Sequence, residues 1–271
     1  MEVKKFLAIR RDDRFSPNSV ENDRRILQAA CHEIAGLLGL EEDIRMIDEA
    51  ELPNFPDTVD CYISMARSDE ALQVLSEQES KGCIVVNTPG AVKHCQRSRL
   101  NHLMHENQIP MPGEKSSGSY WLKRGDAAAQ SSKDVVFCPD KKSLEHAKDD
   151  FLARGISDMV VSAHVPGDLV KFYGVGTRFF KYFYPSDDGM FKFDNEVQNG
   201  KAHHYAFDGD ALRADVSRLA ELAGIDIYGG DAIIREDGRY YIIDFNDWPS
   251  FSRCREEAAK AIAGEIVSKL L

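Results

Sequence analysis

Three oxygen-bearing side chains near the carboxyl terminus have the chemistry of a divalent-cation site. The apolar run 240–243 ends in Asp244 and Asn246, and an apolar run upstream carries Asp231. Side chains two residues apart on a strand share a face, so Asp244 and Asn246 should project together. The turn 236–239, Glu-Asp-Gly-Arg, lies between the two runs and predicts a hairpin that would bring Asp231 beside them.

Two carboxylates and one amide oxygen form a hard, oxygen-only ligand set of the kind that Mg²⁺ prefers. Because Mg²⁺ keeps several waters and completes its shell with substrate phosphates, such a set indicates a nucleotide site. An alternative is that Asp244 and Asn246 cap the last helix or form a turn before Pro249. The spacing alone leaves both interpretations open.

The chain that positions these residues has two regions of different predicted structure. Over residues 1–88, predicted strands and helices alternate, which indicates an open, largely parallel α/β layer. From residue 89 onward, strands rich in β-branched and aromatic residues predominate, and the chain ends in a helix, a hairpin and a last helix. The predicted fold class is therefore α/β with α+β subdomains, divided into an N-terminal domain 1–88 and a second domain 89–271.

The composition narrows the function classes. The chain has 34 Lys and Arg against 45 Asp and Glu, a formal charge of −11, whereas nucleic-acid binding needs clustered cations. No apolar run reaches the roughly 18 residues of a membrane span. The six cysteines form no C-x-x-C pair, a pattern typical of reduced thiols in a cytosol. We expect a cytoplasmic protein that binds neither nucleic acid nor membranes; a homo-oligomer stays open.

The segment LAELAGIDIYGGDAIIREDGRYYIIDFNDWPSF resembles the C-terminal signature of the ATP-grasp superfamily. Its ending, Asp-x-Asn-x-x-Pro, is most similar to the inositol trisphosphate kinases, whereas ligases such as glutathione synthetase more often have Glu first. The resemblance implies an ATP-grasp fold preceded by an α/β pre-ATP-grasp domain. It also implies that ATP and Mg²⁺ are the cofactors, with Asp231, Asp244 and Asn246 binding the metal that bridges the ATP phosphates.

Upstream segments resemble other parts of the same superfamily. VVNTPGAVKHCQRSRLNHLMHENQIPMP is similar to a turn and helix of its core, with Gln96-Arg97 in place of a frequent Asp-Lys pair. That similarity implies Arg97 as a phosphate contact. YWLKRG resembles the strand whose lysine contacts the α- and β-phosphates, which implies Lys123. The alternative for Lys123 is a solvated lysine at a strand end. The lid subdomain of the fold is expected over 113–163.

VVSAHVPGDLVKFYGVG resembles the hinge strand of the superfamily and the strand that follows. The resemblance implies that the backbone of Ala163, His164 and Val165 clamps adenine. It also implies that Lys171 reaches the phosphates or the acceptor, and Asp168 lies one residue from the position of the ribose-binding carboxylate. The Gly-rich lid loop of the superfamily is replaced here by DAAAQSSKD, which bears on how the lid closes.

Residues outside the nucleotide site must bind the acceptor. Arg253 and Arg255 lie at the start of the last helix, where both the helix N-terminus and the arginine forks favour anions. They are candidate catalytic residues for a small acceptor that carries a carboxylate or phosphate. The alternative is that they pair with neighbouring glutamates or surface carboxylates. The loop after the first strand, with Arg11 and Arg14, is a second candidate.

Three functions are compatible with these features. The first choice is an ATP-dependent carboxylate–amine or carboxylate–thiol ligase, because that is the commonest chemistry on this architecture. The second is a small-molecule kinase that phosphorylates a hydroxyl, and the third is a nucleotide-binding module without turnover. Both enzymes would stabilise charge on the transferred phosphoryl group with metal and cationic side chains, so neither needs a protein nucleophile.

Overall fold

A computed structural model describes residues 4–16, 19–115, 118–126, 131–189 and 200–270. Within these ranges the chain forms three β-sheets with helices packed on them, which confirms the predicted α/β class. Parts of the loops EKSSGS and DAAAQSSKD, and of the loop after the first strand, lie outside the described residues.

The first sheet is parallel, with its described strands in the order β2-β1-β3-β4. These strands are β1 (Phe6–Arg10), β2 (Arg45–Asp48), β3 (Cys61–Ser64) and β4 (Ile84–Val86). Helices α1 (Val20–Leu38) and α2 (Asp69–Ser80) pack on the sheet. Both faces of the central strands are buried, as is typical of a parallel sheet with helical connections.

The second sheet is antiparallel, with the order β6-β5-β7. Its strands are β5 (Tyr120–Arg124), β6 (Val135–Cys138) and β7 (Met159–Ala163). One face packs against α5 (Lys141–Ala153) through a small core that includes Leu122 and Phe151. Because side chains alternate along a strand, Lys123 lies on the opposite face.

The third sheet is also antiparallel, with the order β11-β10-β8-β9. Its strands are β8 (Asp168–Val175), β9 (Phe179–Phe183), β10 (Ile227–Ile234) and β11 (Tyr240–Asp247). Helix α7 (Gly209–Ala223) covers one face through Leu212 and Val216. The predicted hairpin between β10 and β11 is confirmed, with the Arg235 N–H donating to the Arg239 carbonyl at 2.8 Å.

Two predicted elements are divided in the structure. The helix expected across Gln96 is instead α3 (Pro89–His94) followed by α4 (Arg97–Glu106), because Gln96 leaves the helical conformation at ψ 133°. The run 169–184, rich in aromatic and β-branched residues, predicts one long strand, but the structure has two strands, β8 and β9, joined by a turn in which Gly176 has φ 46°. The first break places Arg97 at the start of a helix.

The first and third sheets share one hydrophobic core, completed by α8 (Arg255–Ser268). Ile63 and Met65 from the first sheet belong to it together with Tyr173 of β8 and Trp248, which follows β11. The short helix α6 (Pro185–Asp188) follows β9. None of the described helices has the length and apolar character needed to cross a membrane.

Candidate active site

One row of charged side chains crosses the third sheet. The register pairs Lys171 of β8 with Asp231 of β10, and Asp231 with Asp244 of β11. Directly opposed residues share a face, so all three project from the side that α7 leaves uncovered. Lys171 Nζ donates to Asp231 Oδ1 at 3.0 Å. The structure therefore brings together three residues that the sequence singled out.

A β-bulge in β11 determines which residues join this row. The register passes from the Asp231–Asp244 pair directly to the Ala232–Ile242 pair, so Ile243 is the extra residue of the bulge. Without it, Asp244 would share the buried face with Ile242, because residues two apart on a regular strand point the same way. The bulge thus exposes the Asp244 carboxylate while Ile242 stays in the core.

The donor set in this row fits Mg²⁺. Asn246 lies two residues beyond Asp244 on the same strand face, opposite Gly229. Among the described residues, no group of three or more His, Cys, Asp or Glu side chains could hold a metal ion. The set is therefore two carboxylates, Asp231 and Asp244, with the Asn246 amide. Mg²⁺ is commonly bound through only one or two carboxylates plus substrate phosphates, so this composition is sufficient.

Lys123 connects the second sheet to this row. Its Nζ donates to the carbonyl of Ile243, the bulge residue, at 2.6 Å. Burial lowers the pKa of Lys123 to about 8, against the upward pull of the Asp244 and Asp231 carboxylates. Lys123 is thus a half-buried cation that faces the acidic row, rather than a solvated lysine at a strand end.

Arg97, at the start of α4, stands between the same two sheets. Its Nη1 donates to the carbonyl of Arg124 on β5 at 2.7 Å, and its Nη2 lies 3.7 Å from Asp244 Oδ1. The guanidinium therefore adds a second positive charge beside Asp244. A helix that ran unbroken through Gln96 would give Arg97 a different direction, so this position depends on the break between α3 and α4.

A cavity of about 50 Å³ separates the second and third sheets. It is lined by Arg97, Lys123 and Asp244 together with apolar residues of α4, β7 and β11. Small-molecule pockets usually enclose roughly 300–1,000 Å³. The cavity is therefore smaller than the pockets that usually hold a small molecule.

Two backbone N–H groups of the predicted hinge have hydrogen-bond partners within the protein, and the adenine contact of this segment stays a prediction. The Ala163 N–H donates to the Gly113 carbonyl at 2.7 Å, and the His164 N–H donates to the Ser119 carbonyl at 2.9 Å. Both amide donors therefore join the end of β7 to the segment that precedes β5. Val165 follows in the connection to β8, and the β7 side chains that line the cavity are Val160 and Ser162.

Asp168, predicted beside a ribose, has a structural role. Its residue is only 1% exposed, and its carboxylate accepts from the backbone N–H groups of His203 at 2.7 Å and Tyr205 at 3.0 Å. The His203 ring nitrogen Nδ1 lies 3.2 Å from the same carboxylate. These contacts tie a distant segment to the start of β8, and the ribose contact of Asp168 stays a prediction.

The two arginines predicted to bind the acceptor have different surroundings. Arg253 forms a bidentate pair with Asp188, with Nε 2.7 Å from Oδ2 and Nη2 2.9 Å from Oδ1. It also hydrogen-bonds to Tyr173, which lies on β8 two residues from Lys171. Arg255 instead donates to Asn22 Oδ1 at 3.0 Å and links α8 to α1. Only Arg253 therefore borders the charged row.

Sequence reasoning missed a buried charge pair at the end of β11. Asp247 is 2% exposed, and Arg67 Nη2 lies 2.7 Å from its Oδ1. Arg11, a candidate acceptor contact in the sequence, is instead buried and donates to the Trp248 carbonyl at 2.7 Å. An aspartate directly after Asn246 was a visible signal, but its partner lies 180 residues away in the chain.

The sequence matches no protein-family model. A comparison with curated proteins also gives no match. Solved structures do share the fold: the RimK domain ATP-grasp protein from Sphaerobacter thermophilus DSM 20745 is 18% identical, with a TM-score of 0.65 over 97% of this chain and 99% of that chain.

Two ligases superpose similarly. D-alanine–D-alanine ligase from Bacillus anthracis is 10% identical, with a TM-score of 0.66 over 98% of each chain, and has also been solved in complex with ATP. The ATP-grasp ligase PsnB, complexed with a phosphomimetic variant of minimal precursor, Mg and ADP, is 13% identical, with a TM-score of 0.56 over 99% of each chain. At these identities the comparisons establish the fold alone.

Proposed function

We propose that this chain, which has the ATP-grasp fold, is an ATP-dependent ligase that joins a small anionic carboxylate to an amine or thiol. One observation carries the proposal. Lys123, Arg97 and Asp244 line one cleft between two sheets, and Asp231 and Lys171 continue the charged row from Asp244 across the third sheet. Ligases among the structures that share the fold support this reaction class.

In this proposal the three cations bind the phosphates of ATP. Lys123 reaches from the second sheet, Arg97 from the start of α4, and Lys171 from β8. Such fixed charges stabilise the transferred phosphoryl group without reorganising during the reaction. Mg²⁺ held by Asp231, Asp244 and Asn246 would neutralise further phosphate charge. On phosphate binding, the Lys123 ammonium would exchange the Ile243 carbonyl for a phosphate oxygen.

The acceptor is placed beside Arg253. This side chain is 6% exposed and already binds one carboxylate, that of Asp188, in bidentate geometry, which is the geometry an acceptor carboxylate would use. The γ-phosphoryl group would pass to the acceptor carboxylate with release of ADP. Attack by the amine or thiol on the acyl phosphate would then form the new bond and release inorganic phosphate.

A kinase is the second candidate, and one sequence feature favours it. The metal strand ends in Asp244-Phe245-Asn246, the form that resembles the inositol trisphosphate kinases, rather than in the Glu form commoner among ligases. A kinase would use the same cations and the same metal set. It would transfer the phosphoryl group to a hydroxyl and release no inorganic phosphate.

Product analysis separates these functions. ATP, Mg²⁺ and pools of carboxylates, amines, thiols and polyols would be incubated with the protein, and ADP and inorganic phosphate would be measured in parallel. Equal release of both indicates a ligase; ADP with a phosphorylated product and no free phosphate indicates a kinase. Nucleotide binding without either product would indicate a binding module and contradict both enzymes.

Two variants test whether turnover depends on the proposed site. Lys123→Met should abolish ADP release, because it removes the cation nearest the cleft. Lys148→Met is the matched control, since Lys148 lies on α5, pairs with Glu145 at 3.0 Å and is remote from the cavity lining. Equal activity in the two variants would contradict the assignment of this cleft.

A further inference from the structure

An arginine from the first sheet holds the end of β11, directly after Asn246. Arg67, which follows β3, places Nη2 2.7 Å from Asp247 Oδ1 and Nε 3.3 Å from Oδ2. The same Nη2 donates to the backbone carbonyl of Asp247 at 3.1 Å. Both the side chain and the main chain of Asp247 are therefore fixed by one guanidinium.

A second arginine holds the next residue. Arg11, which follows β1, donates from Nη2 to the Trp248 carbonyl at 2.7 Å and lies 3.8 Å from Asp247 Oδ2. Because β1 and β3 are adjacent parallel strands, their carboxyl-terminal ends meet at one edge of the sheet. Arg11 and Arg67 thus converge on two consecutive residues of another sheet.

Two carboxylates near the first sheet, Asp23 of α1 and Glu49 directly after β2, hold these arginines in place. Asp23 lies 3.7 Å from Arg11 Nε, and Glu49 Oε2 accepts the backbone N–H groups of Arg67 at 2.9 Å and Ser68 at 2.7 Å. Asp23 and Glu49 are themselves buried. Buried ion pairs are often no more stabilising than apolar residues of the same volume. The network is therefore explained less by a gain in stability than by the geometry that it fixes.

The backbone at this point needs external support. Trp248 has φ 37°, in the left-handed region that non-glycine residues seldom adopt. Its N–H donates to the Ile227 carbonyl at 3.0 Å, and the chain then leaves the sheet. The contacts from Arg11 and Arg67 therefore fix where β11 ends and, one residue earlier, where Asn246 lies.

We infer that Arg67 and Arg11 are positioning residues for the metal set, so that Mg²⁺ binding depends on the docking of the first sheet against β11. The inference rests on the proposed function, because it assumes that Asn246 is a metal ligand. It assigns to the N-terminal domain a part in nucleotide binding although neither arginine lines the cleft. Outer-shell partners of this kind typically change metal affinity by about 10–100-fold when they are altered.

Calorimetry with ADP, in Mg²⁺ or in EDTA, tests the inference. Arg67→Lys keeps the charge but loses the bidentate pair. We expect it to reduce the enhancement of ADP affinity by Mg²⁺ about tenfold and to leave the affinity in EDTA unchanged. Hydrogen exchange should become faster at residues 246–249 and stay unchanged in the 235–239 turn. The control is Arg10→Lys, because Arg10 of β1 forms an exposed ion pair with Asp48 of β2. This variant should match the wild type in every measurement.

Two results would overturn the inference. An unchanged Mg²⁺ enhancement in Arg67→Lys would show that Asn246 does not depend on this contact. Equal losses of affinity in Mg²⁺ and in EDTA would indicate a general structural role. If Arg67→Lys does not fold, the double variant Arg67→Gln/Asp247→Asn keeps an uncharged hydrogen-bonding pair and is held to the same criteria. Failure of the proposed metal set would be distinguished separately, because the ADP affinity of the wild-type protein would then be the same in Mg²⁺ and in EDTA.

Discussion

Nucleotide affinity should fall as the pH rises through about 8, because the Lys123 ammonium is the group that titrates there. Burial lowers the pKa of Lys123 to about 8 in the unliganded protein. A bound phosphate stabilises the charged form and raises the pKa again, so binding is coupled to protonation of Lys123. The binding-competent form is therefore present below about pH 8 and is lost above it.

The size of the effect follows from the charged fraction. A group with a pKa of about 8 is roughly 90% charged at pH 7 and roughly 10% charged at pH 9. ADP affinity should therefore fall about tenfold across this interval, which corresponds to about 1.4 kcal/mol. At pH 9, binding should also take up close to one proton per nucleotide, because the lysine that starts neutral ends charged.

Calorimetry at pH 7 to 9, in buffers of different ionisation enthalpy, measures both the affinity and the proton uptake. Lys123→Arg is the informative variant, since a guanidinium stays charged over this range and the affinity should then be independent of pH. Lys148→Arg, on α5 and outside the cavity lining, should keep the wild-type profile. A wild-type affinity that does not change with pH, or the same slope in Lys123→Arg, would refute the role of Lys123.

Four further substitutions have distinct expected outcomes. Asn246→Ala and Asp244→Ala should each weaken Mg·ATP binding in calorimetry while the melting temperature without ligand changes little; the opposite pattern would return both to a structural role. Asp168→Asn should lower the free energy of unfolding by about 1–3 kcal/mol in urea denaturation, because it weakens the contacts of a buried carboxylate to two backbone N–H groups, and should leave ATP affinity unchanged. Leu122→Ala should cost about 2–5 kcal/mol by opening a cavity in the small core under α5, measured in the same way.

The structural features that depend on a local sequence pattern could be predicted. The two apolar runs and the turn 236–239 sufficed for the β10–β11 hairpin, and the spacing of Asp244 and Asn246 sufficed for their common face. The resemblance in this segment led to the fold that the solved structures confirm. Its placement in the inositol kinase-like or glutathione synthetase-like branch, the domain boundaries and the site roles stay predictions.

Features that depend on distant contacts could not be predicted. The partners of Asp168 and Arg253, which are His203 and Asp188, are 35 and 65 residues away, and no periodicity links them. The bulge at Ile243 inserts one residue without any glycine or proline to mark it. The sequence therefore identifies a polar residue near a strand end as a candidate site residue. Which groups that residue contacts depends on how the fold brings distant segments together.

The charge balance of the cleft explains how an acidic protein can bind a nucleotide. The chain carries a formal charge of −11, which repels ATP at long range. At the cleft, however, Lys171 lies against Asp231 and Arg97 lies near Asp244, so the two carboxylates that we propose as metal ligands each have a cation beside them before a ligand arrives. In the proposed reaction, ATP and Mg²⁺ would enter together. The phosphates would bind the cationic side chains, and the metal would bind the carboxylates. Each phosphate would replace a carboxylate as the partner of a cationic side chain, and the metal would replace a cationic side chain as the partner of the carboxylates. The exchange would therefore leave no charge in the narrow cleft without a counter-charge.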